Sequence, residues 1–271
     1  MIEYCSRDQR TEATVVERSA AQRGRLLRSL FVVSFGVLLV SASSGFAISP
    51  EALFRAGTEA YHAADYSSAA AAFRQAASLQ PASGTLLNLG NAEWQRGRTG
   101  SAILAWEQAL ALDPFNESAR GNLRFARKTA QLETPELTWY EAVASWLPLT
   151  WWPWLSGVSL WLVVGAGLLP GIFRVRKAIW HQALAALGLA VLLLSLPAHL
   201  GLYTRSRIGF VLQKDTPLRL TPTSDAQYLT RLSAGEPGRV QRTRGRYFLI
   251  RTNRALGWIE RDHFGGTSAE P

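Results

Sequence analysis

Cysteine is almost absent. Cys5 is the single one among 271 residues, which excludes an intramolecular disulfide framework and any zinc site built on thiolates. It lies where an export signal would be removed, so a processed chain would carry no thiol, as suits an oxidising compartment. Histidine is scarce too: His62, His181, His199 and His263 fall in different segments and make no metal-ligand spacing. No Walker loop, GxSxG elbow or dinucleotide fingerprint occurs, and the carboxylates form no convincing pair. These absences leave no constellation for catalysis and no cofactor or metal site, so the chain reads as a non-enzyme whose function is binding.

Lysine is nearly missing as well, with 26 arginines against 3 lysines and a formal net charge of +9. From Tyr203 onward there are 12 basic residues against six acids, whereas Ile48 to Leu132 holds 8 against 7. The excess therefore sits in the C-terminal part and at the extreme N-terminus. Basic segments behind membrane spans meet anionic lipid or cell-wall polymer more readily than nucleic acid.

Apolar residues are concentrated in three runs. The first follows Arg23-Gly-Arg-Leu-Leu-Arg28 and extends from Leu30 to Ala47, with the positive n-region, apolar h-region and small residues (Gly45-Phe-Ala47) of a secretory signal. Cleavage and retention as an anchor both remain open, because the h-region is long and about 22 mostly polar residues precede it. Met1 is the only methionine, so an internal start would need a non-ATG codon. The other runs, Leu155 to Phe173 and Ala178 to Tyr203, are each long enough to cross a bilayer. Trp139, Trp146, Trp151, Trp152 and Trp154 before the first of them read as an interfacial belt, with an aromatic ligand groove as the alternative. The link Arg174-Val-Arg-Lys177 holds the only charges between the spans. The positive-inside rule places it in the cytoplasm, with both flanking segments on the outer side of a bacterial inner membrane. Arg205 and Arg207 pull mildly the other way.

Two stretches align at one constant offset: Gly57, Tyr66, Ala69, Phe73, Ala76, Pro81 and Gly90, Thr99, Ala102, Trp106, Ala109, Pro114. A fixed period with small, aromatic and proline residues at matching offsets is a helix-turn-helix repeat, and the pattern resembles the tetratricopeptide repeat (TPR). The glycines and Ala69/Ala102 are expected where paired helices approach, Phe73/Trp106 in the groove between them, and Pro81/Pro114 past the second helix. Asn116 caps a further helix, to Lys128, that shields the end of the array. The resemblance places Tyr61, His62, Asn88, Asn91, Trp94 and Gln95 on an inner groove that takes a protein segment. Two readings stand side by side: Asn91 and Trp94 as groove residues, or Asn91 stabilising its own helix pair with Trp94 packed on the cap.

The last segment reads as five short strands: Gly209 to Gln213, Leu218 to Leu220, Gly238 to Arg242, Tyr247 to Arg251 and Gly257 to Glu260, separated by turn-forming residues. Their order resembles bacterial SH3 domains, in which a Gly-Trp-Ile strand such as Gly257-Trp-Ile259 closes a small barrel. Arg219, Tyr247, Arg251 and Trp258 are the candidate binding surface, with Trp258 open to a core, rim or ligand-stacking role.

The chain is thus expected to be a multidomain membrane protein of all-α TPR helical repeats, two transmembrane helices and a small all-β SH3-like barrel. Its divisions are an N-terminal extension with signal or anchor (1–47), repeats with a capping helix (48–131), a Trp-rich linker (132–154), a membrane hairpin (155–203), the SH3-like domain (204–265) and a disordered tail (266–271). This order, with Asn88-Leu-Gly-Asn91 and Asn122-Leu-x-Phe-Ala126, resembles the BatE proteins of bacterial aerotolerance operons. The resemblance implies a non-catalytic adaptor in an inner-membrane assembly with von Willebrand factor A-type proteins and a MoxR-type ATPase, linked to oxidative-stress tolerance. A second reading is a sensor whose SH3-like domain binds peptidoglycan.

Overall fold

A computed structural model describes residues 49–172 and 179–267. The expected signal or anchor segment, the charged link Arg174–Lys177 and the tail from 268 lie outside these described residues.

The first helices form two hairpins. They are α1 (Pro50–His62), α2 (Tyr66–Leu79), α3 (Ser83–Gln95) and α4 (Thr99–Leu112), followed by α5 (Glu117–Ala130). Side-chain caps start three of them. Ser49, Asp65 and Asn116 each accept a backbone N–H three residues on, at 3.0–3.1 Å, satisfying one of the donors a helix start leaves open. α1 and α3 end identically, at equivalent points of the two repeats. The N–H groups of Ala64 and Gly97 bond back to Tyr61 and Trp94 while those of Asp65 and Arg98 reach Ala60 and Glu93, with Ala64 and Gly97 in left-handed conformation at φ 59° and 74°.

The repeat period is a packing period. A Cβ on Gly57 would lie 2.8 Å from the Phe73 ring, and one on Gly90 2.4 Å from Trp106 Nε1. Each glycine therefore admits the aromatic ring of its partner helix, with Ala69 and Ala102 fully buried alongside.

The C-terminal part is a seven-stranded antiparallel sheet in the order β3-β2-β6-β5-β4-β1-β7. The strands are β1 (Ile208–Val211), β2 (Thr216–Arg219), β3 (Tyr228–Leu232), β4 (Pro237–Arg244), β5 (Tyr247–Arg251), β6 (Leu256–Glu260) and β7 (Phe264–Gly266). Its core is Val211, Leu218, Leu232, Ile250, Ile259 and Phe264. Two of the seven, β3 and β7, were not among the five expected. Pairing also continues past residue 265: Thr267 donates its N–H to Ile208 O at 3.1 Å.

The helices and the sheet share a packed junction. Ile208 and Phe210 of β1 lie in the same buried cluster as Ile103, Trp106 and Ala109. The contact is made where side chains are missing. A Cβ on Gly100 of α4 would stand 2.3 Å from Val211 O, one on Gly235 2.4 Å from Ile103 Cδ1, and one on Gly265 2.3 Å from Leu104 Cδ2. Gln108 Nε2 donates to Gly266 O at 3.1 Å.

The stretch expected as a linker contains a short helix, α6 (Trp139–Ala144). Two long apolar helices follow, α7 (Trp151–Ile172) and α8 (Ile179–Arg205), both long and apolar enough to cross a membrane. α7 starts four residues before the expected Leu155. Trp151, Trp152, Pro153 and Trp154 make its first turn, where a proline costs no intrahelical bond, and Trp152 Nε1 donates to Ala144 O of α6 at 3.1 Å. The two long helices meet through small residues: a Cβ on Gly188 would be 3.0 Å from Ser159 O, and Ser159, Ser195 and Ala198 are buried. Their outward faces carry exposed Trp161, Leu168, Leu187 and Leu196. α8 is held at its far end as well, since Gly201 lies directly against Tyr140 O.

Candidate functional site

The six residues expected on the helical groove come from α1 and α3. Tyr61 is half-buried, edge-on to Tyr66 with centroids 5.3 Å apart. His62 and Gln95 are exposed at the C-terminal ends of α1 and α3, and Asn88 is half-buried.

Asn91 and Trp94 are engaged within the fold. Asn91 Oδ1 accepts from Trp106 Nε1 at 3.1 Å and from Asn122 Nδ2 at 2.8 Å, joining α3, α4 and α5 through one acceptor. The Trp94 ring lies 5.9 Å from both Trp106 and Phe125. Of the two readings left open, this is the geometry of the second, and what remains exposed beside it is Phe125, 61% in solvent. Asn122 and Phe125 of α5 thus belong to the same surface as the expected residues of α1 and α3. The signal was present: Asn-Leu-x-x-Ala recurs from 88 to 92 and from 122 to 126.

Behind this surface, carboxylates brace the helices. Glu93 is 1% exposed and pairs with Arg74 and, at 3.0 Å, with Arg96; Glu107 pairs with Arg127. Glu93 is a carboxylate inside the helical packing, and its two arginines explain how a charge is held there. A cleft of about 1020 Å³ adjoins these residues, bordered by Arg74, Arg98 and Lys214 on one side of the helix–sheet junction.

The second candidate surface lies on the sheet. Cross-strand neighbours share a face, and the register runs Tyr228, Arg219, Trp258, Leu249, Arg242 across β3, β2, β6, β5 and β4. Tyr247 pairs with Glu260 and Arg251 with Leu256 on the same face, opposite the core residues Ile250 and Ile259. The four expected surface residues, Arg219, Tyr247, Arg251 and Trp258, are therefore brought together. Trp258 is half-buried on this outer face. Arg219 is partly committed, donating to Ser224 O at 2.6 Å and standing 4.0 Å from Glu260, whereas Arg242 and Arg251 are exposed.

One ion pair connects the sheet to α6, the short helix before the two long apolar helices. Glu141 of α6 is fully buried and meets Arg239 of β4 at 2.6 and 2.9 Å. Burial alone would raise the Glu141 carboxyl, but the Arg239 guanidinium, the Thr138 N–H and the Thr204 hydroxyl overcome it and bring the group down to about 2. Arg239 is raised in turn, chiefly by Glu141. Among the described residues no cluster of three or more His, Cys, Asp or Glu side chains is placed to hold a metal ion.

In comparison with known proteins, the chain matches no family model and no curated protein.

Proposed function

We propose that this chain is a non-catalytic, membrane-anchored adaptor of the BatE kind, with a TPR pair and an SH3-like domain on the outer side of a bacterial inner membrane. The observation that carries this reading is the helix–sheet junction. The repeats precede the first apolar helix and the sheet follows the second, yet Gly100, Gly235 and Gly265 seat the two parts directly on each other. A two-span hairpin is the path that returns the chain to the side it left, so the packing supports two crossings with both binding parts together. The charged link then lies on the opposite, cytoplasmic side.

The sheet docks on α4 and leaves the surface of Tyr61, His62, Asn88, Gln95 and Phe125 for a protein partner. Von Willebrand factor A-type membrane proteins of a MoxR-type ATPase system are the partners that the resemblance implies. Alkaline phosphatase or a cytoplasm-dependent fluorescent protein fused after Leu132, Lys177 and Pro271 tests the topology. Phosphatase activity at the first and last sites with fluorescence at Lys177 is expected; fluorescence at Leu132 or Pro271 ends the periplasmic reading. Capture of the partner by the full chain should fall in His62→Ala/Gln95→Ala and Phe125→Ala. Undiminished capture by these folded variants would remove the groove from the proposal.

A second reading is favoured by the sheet itself. Arg219, Tyr247, Arg251 and Trp258 on one face suit a carboxylate-bearing glycan, with aromatic rings against sugar faces and guanidinium groups on acids. Co-sedimentation of the full chain with peptidoglycan, lost in Trp258→Ala/Arg251→Ala, would make cell-wall sensing the principal activity.

A further inference from the structure

A cleft of about 560 Å³ opens where α8 passes into the sheet, lined by Tyr203 in the last turn of α8, by Ser206 and Arg207 just beyond it, by Arg242 and Thr243 of β4 and by Arg261 after β6. Three arginines line it, and among the described residues no aspartate or glutamate does. The arginines are set by aromatic rings. Arg207 lies over Tyr203, 5.1 Å from the centroid, and donates to its hydroxyl at 3.0 Å, while Arg261 lies 4.9 Å over Phe248. Guanidinium groups stacked in this way lose little further freedom on binding an oxyanion, and their forked donors match phosphate oxygens. Arg242 is exposed and makes no ion pair among the described residues.

The position of the cleft identifies the anion. α8 has 27 residues, about 40 Å at ~1.5 Å per residue, against a hydrocarbon core of about 30 Å. Its last turns therefore reach the headgroup layer, where Tyr203 is the interfacial aromatic and Arg207 stands one turn beyond. We propose that this cleft seats the phosphate of an anionic phospholipid from the adjoining leaflet, with Arg207, Arg242 and Arg261 as its ligands. The site rests on α7 and α8 being membrane spans but is independent of any protein partner. Bound lipid would fix the height and tilt of the sheet above the bilayer, because β1 follows α8 within three residues.

The test is native mass spectrometry of the full chain in detergent, titrated with phosphatidylglycerol or phosphatidylcholine, with and without inorganic phosphate. Preferential retention of phosphatidylglycerol is expected. It should weaken in Arg242→Gln/Arg261→Gln by about fivefold or more, the effect of one arginine at a charged surface, and be unchanged in Arg231→Gln, which lies on the edge strand β3. A double variant that keeps the full preference overturns the site. Displacement by equimolar inorganic phosphate overturns its assignment to lipid. Retention of neither lipid would instead remove the spanning helices on which the site rests.

Discussion

Glu141 and Arg239 lie 98 residues apart in sequence and form a two-pronged ion pair, 2.6 and 2.9 Å, with the carboxylate fully buried. The same guanidinium also reaches the carbonyls of Glu136 and Thr204 at 3.4 Å. One side chain of the sheet is thus tied to α6 and to the last turn of α8. Motion of the long apolar helix α8 cannot be decoupled from the sheet without breaking a charged contact inside the protein.

Glu141→Gln should therefore destabilise the chain by about 3 kcal/mol, the lower end for a broken buried pair, because Arg239 keeps 27% of its side chain in solvent. The pH dependence has a defined sign. The folded carboxyl titrates at about 2 against an ordinary value of 4.5, so its stabilisation is complete above about 4.5 and is lost as pH falls towards 2. Thermal unfolding in detergent between pH 6 and pH 2 checks this. The wild-type midpoint should fall more steeply below pH 4.5 than that of Glu141→Gln, and parallel curves would dismiss the pair as a stabilising element.

The matched turns after α1 and α3 predict opposite effects for the same pair of residues. Ala64 holds a left-handed conformation that costs an L-residue about 1–2 kcal/mol, whereas Gly97 adopts it freely. Ala64→Gly should raise stability by about 0.5–1 kcal/mol and Gly97→Ala lower it by a similar amount. Denaturant melts of the two variants, measured side by side, should move apart; movement in the same direction would show that the two turns are not equivalent.

Much of the helical part was legible because its signals are local. Gly57 with Phe73 and Gly90 with Trp106 have the same separation, and each pair falls within one hairpin, so the repeat period exposes both the hairpin and its packing. The sheet was less legible for physical reasons. β3 is an edge strand with only Leu232 fully buried, and β7 is Phe-Gly-Gly, so neither shows an alternation of apolar and polar residues. α6 is too short for helical periodicity, though Thr138 and Glu141 have the spacing of a capping box. The junction was hidden altogether: Gly100 touches Val211, and a glycine gives no sequence sign of what it admits from a distant part of the chain.

Gly100→Ala should act on that junction alone. Its Cβ would meet the Val211 and Leu212 carbonyl oxygens at 2.3 and 2.5 Å, and backbone cannot step aside as a flexible side chain does. A cost of about 1–3 kcal/mol is expected. Hydrogen exchange should rise in β1 and in the segment Ser233–Glu236 while α1 and α2 remain protected. Uniform loss of protection would mean that the junction is inseparable from the helical core.

The tryptophans at the start of α7 offer the sharpest contrast, because sequence position alone treats Trp152 and Trp154 alike. Trp152 is 3% exposed and donates to Ala144 O, fastening α7 to α6, whereas Trp154 is 76% exposed on the protein surface. Trp152→Ala removes a packed ring and leaves a cavity, at a cost of about 3–5 kcal/mol. Trp154→Ala removes only contact with the surrounding lipid or detergent, so the unfolding midpoint of the solubilised chain should stay within about 0.5 kcal/mol of wild type. Its effect should appear only in bilayers, as weaker quenching of tryptophan fluorescence by lipids brominated near the headgroup, since an interfacial indole is lost. Equal destabilisation of the solubilised chain by both substitutions would mean that Trp154 has a protein partner in place of lipid.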